Sequence, residues 1–158
     1  MIMKKKVILG CIILFSGLLV LVVHVFPIRP FVTITNNTNK HLFIYAGESI
    51  YDVDPEPEEV ERIVRSKPKI IAPGEKSEFT ASFISLVRRD AVIDIGWRIG
   101  GQYEYNSVGG GGRNFILSST AGACSVSIKI NDGFNNDILE KAPGDLCFKK
   151  IKAFNYKY

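Results

Sequence analysis

The first apolar run of the chain is unbroken, and the later ones are not. Val7 to Phe26 reads VILGCIILFSGLLVLVVHVF, without a formal charge and with only Ser16 and His24 as polar side chains. As a helix this run would rise about 30 Å, the thickness of a bilayer's hydrocarbon core. It predicts a single transmembrane helix over 7–26. Pro27-Ile28-Arg29-Pro30 follows, and its two prolines resist continuation of a helix. From there on, several segments alternate apolar and polar residues.

Such alternation marks strands with one face turned to a core. It is clearest from Ala91 to Ile99: Ala91, Ile93, Ile95, Trp97 and Ile99 share one face, and Val92, Asp94, Gly96 and Arg98 the other. Phe31–Thr35 and Leu42–Tyr45 are β-branched and aromatic segments. The turn formers Asn36-Asn37-Thr38-Asn39-Lys40 lie between them, which predicts a hairpin. Asn36-Asn37-Thr38 also fits the N-glycosylation sequon, though a polar loop accounts for it more simply. Lys69–Ala72 leads to a Pro73-Gly74 turn, and Glu75 to Phe83 then places Phe79, Ala81 and Phe83 on one side. Further strands are expected over Arg113–Leu117, over Cys124–Ile130 and from Leu146 to Tyr158. Gly109 to Gly112 lack the Gly-Lys-Ser/Thr ending and the following helix of a phosphate loop, so they predict a mobile hairpin tip. One short helix is expected from Pro57, with proline at the first turn, acids early and Arg62 and Arg65 late, the order that suits a helix dipole. Val60, Ile63 and Val64 give it an apolar face. The fold class is therefore mostly β: a single N-terminal transmembrane helix, then an antiparallel β-sandwich with one short helix.

Lys4, Lys5 and Lys6 directly precede the apolar run, and the positive-inside rule keeps that end cytoplasmic. A cleaved leader would need a shorter apolar centre and a small-x-small site, and His24-Val25-Phe26-Pro27 supplies none. Ile8-Leu9-Gly10-Cys11 resembles a lipidation site, but Cys11 lies too close to Lys6 for an ordinary signal core. The predicted organisation is a cytoplasmic tail over 1–6, a signal-anchor over 7–26, a linker over 27–30 and an exported domain over 31–158. The domain then lies on the outer side of the inner (cytoplasmic) membrane, in the periplasm of a Gram-negative cell.

Charge alters this picture little. The chain carries +4, but Lys4, Lys5 and Lys6 are three of its 20 basic residues and leave 17 against 16 acids. The positive excess belongs to the orientation signal, and nucleic-acid binding would need a basic face on the folded domain. Cys124 and Cys147 both fall in the exported part, an oxidising compartment, and are expected to form a disulfide worth roughly 3 kcal/mol. A metal pair is disfavoured, because the exported part has His41 as its single histidine and no Cys-x-x-Cys spacing. No Gly-x-Ser-x-Gly motif is present, and nothing singles out two carboxylates from the many. No catalytic residue, cofactor or metal is therefore expected.

What is left is a protein that works by binding. The acidic stretch holding Asp52, Asp54, Glu56, Glu58, Glu59 and Glu61, together with Arg113 beside the glycines, forms the expected partner contact. Acidic side chains would speed association with a basic partner. The expected partners are the lipid bilayer, through 7–26, and a protein. The leading expectation is a membrane-anchored immunity or inhibitor protein that neutralises a toxin. The alternative is an accessory part of an envelope secretion or pilus machine.

Overall fold

The segment with the cleanest alternation forms the middle of a sheet. The computed structural model describes Ile12, residues 14–18, 29–54, 56–58, Glu61, 65–141 and 146–154. Its strands are β1 (Phe31–Asn36), β2 (Leu42–Ile50), β3 (Lys69–Ile71), β4 (Lys76–Thr80), β5 (Ala91–Ile99), β6 (Gly109–Ser118), β7 (Ser125–Ile130), β8 (Asp137–Lys141) and β9 (Lys150–Ala153). They make a four-stranded sheet in the order β4-β1-β7-β8 and a five-stranded sheet in the order β3-β2-β5-β6-β9. The core is one cluster drawn from both sheets. Val32, Ile34, Val126, Ile128 and Ile130 come from the first; Ile44, Ile93, Ile95, Trp97, Ile99 and Phe115 come from the second. Each of these strands buries alternate residues, as a sandwich requires.

Three expectations are corrected. The sandwich is not wholly antiparallel: β1 runs parallel to β7, from Phe31 beside Ser125 to Asn36 beside Ile130. The expected hairpin between β1 and β2 is instead an arch, since the two strands enter different sheets. Its cause is Asn36, which is fully buried and carries the arch on its amide. Its Nδ2 donates to the carbonyls of Lys40 (2.8 Å) and Ile71 (3.1 Å), while its Oδ1 accepts from the N–H (3.0 Å) and hydroxyl (2.8 Å) of Thr38. Buried and fully engaged, Asn36 does not offer its amide to a glycan. The glycines 109–112 are not a tip either. They open β6 and pair with β5, from Gly109 beside Ile99 to Gly112 beside Gly96.

The stretch expected to alternate from Glu75 to Phe83 ends as a strand at Thr80 and turns into a helix, α1 (Phe83–Val87). Ser82 caps it, its Oγ accepting from the N–H of Ser85 at 3.2 Å. Phe83 is thus an exposed helix residue and not a core one. Among the described residues the closing segment forms a strand over β9, which lies at the edge of its sheet with Lys150 and Lys152, and 155–158 lie outside them. Lys149, just before β9, is turned inward. It is buried, and its ammonium donates to the carbonyls of Ser85 (3.4 Å) and Arg88 at the end of α1.

Cys124 and Cys147 are joined, with Cα atoms 5.6 Å apart. The bond ties the lead into β7 to the segment before β9, and so one sheet to the other. Most of the expected span over 7–26 lies outside the described residues, as do the tail over 1–6 and residues 27–28. Ile12 and residues 14–18 are helical and exposed. Among the described residues no helix is long and apolar enough to cross a membrane. Pro57, Glu58, Glu61 and Arg65 are helical where the short helix was expected, while Val60, Ile63 and Val64 lie outside the described residues.

Two outcomes test this frame. Asn36→Ala removes the side-chain bonds to the Ile71 carbonyl and the Thr38 N–H, both buried, while the Lys40 carbonyl keeps the Thr38 hydroxyl, so stability in a urea melt should fall by about 2–3 kcal/mol. A loss under about 0.5 kcal/mol, the scale of a surface change, would remove Asn36 as the keystone of the arch. The oxidised chain should present only Cys11 to a thiol reagent under native conditions, and reduction should lower the melting free energy by roughly 3 kcal/mol.

Candidate partner-binding surface

The sandwich has two distinct ends. Arg29 and Pro30 enter at one, where the Ala81 N–H bonds the Pro30 carbonyl (3.0 Å), the Ser82 N–H bonds Glu48 (2.6 Å), and β5 begins. We call this end proximal. The distal end lies a strand length away: β5 has nine residues, and a strand of that size spans about 30 Å. The connections 37–41, 72–75, 100–108 and 131–136 gather there.

Two of these connections are held firmly. In 100–108 the Gly100 N–H bonds the His41 carbonyl (2.9 Å), the Tyr45 hydroxyl donates to the Gln102 carbonyl (3.0 Å), and Asn106 Oδ1 accepts from the Tyr103 N–H (2.9 Å). A single 3-10 turn, Glu104–Asn106, results. It stacks the rings of Tyr103 and Tyr105 with centroids 5.5 Å apart and planes 6° from parallel. In 131–136 the Asn131 N–H bonds the Asn136 carbonyl (2.9 Å), and Asn136 Nδ2 donates to the Asp132 carbonyl (2.8 Å). The loop is fastened to β6 by Gly110 N–H to the Gly133 carbonyl (3.2 Å) and Asn135 N–H to the Gly110 carbonyl (2.8 Å).

That fastening explains the glycine run. A Cβ on Gly109 would stand 2.4 Å from the Gly133 oxygen, and one on Gly111 would stand 2.6 Å from the Trp97 indole. Two apart in a strand, these glycines share a face, and only glycine there admits both the loop and the buried Trp97. Yet the side chains these rigid loops present are apolar and wet: Tyr105 is 85% exposed and Phe134 71%. Tyr103 and Val108 are each about half exposed beside them in the 100–108 connection. Exposed aromatics on rigid backbone are the side chains that anchor protein interfaces. Nothing in the local sequence marks them, because Tyr103 and Tyr105 are stacked by the 3-10 turn and Phe134 is a lone aromatic in a polar connection.

The residues expected to make contact are placed as follows. Asp52, Asp54, Glu56, Glu58 and Glu61 are exposed in the connection 51–68, which leaves β2 at the proximal end and returns to β3 opposite Ile44, near the distal start of β2. Glu59 lies outside the described residues. Glu61 pairs with Arg65, while Asp52, Asp54, Glu56 and Glu58 make no hydrogen bond or ion pair to a described residue. Asp52 sits at a φ of 61°, a left-handed conformation that Asp tolerates well. Tyr51 packs its ring on Phe154 at 5.0 Å and anchors the start of the segment. Arg113 is engaged within the molecule. Its Nε donates to Asp137 Oδ2 (2.8 Å) and a terminal nitrogen to Oδ1 (3.2 Å), a two-point clasp from β6 to β8 across the sheets. The described acids thus share one connection, and Arg113 spends its charge on Asp137.

Among the described residues, no group of three His, Cys, Asp or Glu side chains is placed to hold a metal ion. No family model matches the chain, and no curated protein matches it. The surface therefore has to be read from its own chemistry.

The two roles separate by mutation. Gly109→Ala must displace the Gly133 backbone and should cost about 1–3 kcal/mol in a urea melt. Tyr105→Ala, with its ring in solvent, should stay within about 0.5 kcal/mol of the parent. The reverse order would mean that the tyrosine pair is a structural element.

Proposed function

We propose that this chain is an exported, membrane-tethered binding protein that acts without catalysis and neutralises a toxin by direct contact, as immunity and inhibitor proteins do. Residues 7–26 hold it in the inner membrane with its N-terminus cytoplasmic and its sandwich outside. The observation that carries the reading is the aromatic distal end: a stacked tyrosine pair and Phe134, exposed on loops fixed by backbone hydrogen bonds, at the end opposite Arg29. Rigid aromatics lose little entropy on binding, and Tyr and Phe are enriched at the centres of interfaces. A sandwich of this length would hold them about 30 Å above the point where the chain enters it. The acids of 51–68 add a long-range attraction for a basic partner that raises the association rate. The Cys124–Cys147 bond suits an oxidising compartment.

The test is survival. Cells deleted for the chain are challenged with wild-type siblings, and the full chain should restore them. Tyr105→Ala with Phe134→Ala should accumulate as oxidised, folded protein and yet fail to protect. Survival unaffected by deletion removes the immunity reading, and full protection by the double variant removes the aromatic contact.

A further inference from the structure

We infer that α1 is a lipid-contact face, which rests on the surface of the membrane leaflet on the exported side and seats the sandwich against it. The inference rests on the reading of 7–26 as an anchor. Three of the five residues of α1 point away from the protein: Phe83 is 65% exposed, Ile84 60% and Val87 80%, while Ser85 and Leu86 are buried. Single exposed apolar residues are ordinary, but three on one short helix form a patch that calls for an occupant.

The position of the patch names that occupant. Arg29 touches α1 directly: its guanidinium lies 4.6 Å from the centre of the Phe83 ring, and its Nη1 donates to the Ala81 carbonyl at 3.4 Å. Only Pro27 and Ile28 separate Arg29 from Phe26, the last residue of the apolar run. Three residue steps reach at most about 10 Å, and the headgroup layer on one side of a bilayer is about 5–8 Å deep. A span ending at Phe26 therefore leaves the start of α1 within reach of the headgroups.

Charge agrees with that placement. Arg88 and Arg89 follow α1 and are exposed, and with Arg29 they set cations beside the apolar residues. The nearest acids are already engaged. Both Glu48 oxygens accept from Ser82, from its N–H at 2.6 Å and its hydroxyl at 2.5 Å, and Asp90 lies 3.5 Å from Arg89. Lys149 spends its ammonium on the carbonyls at the end of α1, and Phe148 just before it is a further exposed aromatic. Aromatic and aliphatic residues flanked by arginine are the composition of an interfacial contact with anionic lipid.

The test uses the full chain in vesicles of phosphatidylcholine and phosphatidylglycerol, with bromine on the acyl chains as a contact quencher. Tryptophan is placed singly at Val87→Trp, Tyr105→Trp and Leu18→Trp. The buried Trp97 signal of the parent is subtracted. Val87→Trp should lose most of its emission to lipid brominated high on the chain, and Tyr105→Trp at the distal end should lose none. Leu18→Trp should be quenched by lipid brominated near the bilayer centre, which reports the anchor separately. Quenching at Leu18→Trp with none at Val87→Trp overturns the lipid face and leaves the anchor standing. Absence of both removes the anchor and this inference with it. A blue shift at Val87→Trp without quenching would put protein on α1 and also overturn the proposal.

Discussion

The architecture depends on one buried amide. Asn36 ends β1 where the chain must leave one sheet and join the other, and a chain crossing the core exposes its backbone polar groups to an apolar interior. Asn36 answers from both ends of its side chain, donating to Lys40 and Ile71 and accepting from Thr38. Its own backbone is bonded to the next turn, with N–H to Glu75 and carbonyl to Gly74. Because the arch separates β1 from β2, β1 is free to lie between β4 and β7, and the parallel pairing with β7 follows. A hairpin at the same place would have kept both strands in one sheet and left no second layer to cover Trp97.

A second constraint acts at the distal end, and it works by removing side chains. Gly109 and Gly111 let the 131–136 loop and the indole of Trp97 approach the same face of one strand. The buried indole N–H meets no hydrogen-bond partner among the described residues. The loops are therefore rigid where a glycine run suggests the reverse, and what they carry to the solvent is aromatic. Rigid backbone with exposed rings suits a surface meant for a partner, because little order remains to be lost when it binds.

How much of this could be read in the sequence follows from where each cause lies. The β5 pattern was legible because its partners on both sides are strands and its alternate burial is written in its own residues. The Asn-rich run announced a change of direction, but the partner that makes it an arch, the Ile71 carbonyl, lies 35 residues away. Gly109–Gly112 read as a loop because what forbids a side chain there comes from residues 97 and 133. Where the Lys149 ammonium goes could not be read locally, since the carbonyls it binds lie 64 and 61 residues away. The capping serine of α1 was a local signal that the alternation through Phe79 and Ala81 overrode. For the candidate surface, the acids were legible as a charge run, while the tyrosine pair needed the turn Glu104–Asn106 to stack it.

The proximal end is fastened in three independent ways, and this bears on what its exposed residues mean. The disulfide joins the start of β7 to the segment before β9. Next to it, Ala123 and Ile151 exchange N–H to carbonyl bonds of 3.0 and 2.7 Å across the two sheets. Lys149, between the disulfide and β9, then binds the last carbonyls of α1 and completes its C-terminus. A helix of five residues has no stability of its own; α1 exists because Ser82 caps its start, Lys149 its end, and Leu86 is buried beneath it. A loosely held helix would expose apolar residues by fraying. This one is held at both ends, so Phe83, Ile84 and Val87 face outward as a fixed feature of the fold. A fixed apolar face beside Arg29 needs a neighbour of matching chemistry, and under the proposed anchoring through 7–26 that neighbour would be the membrane.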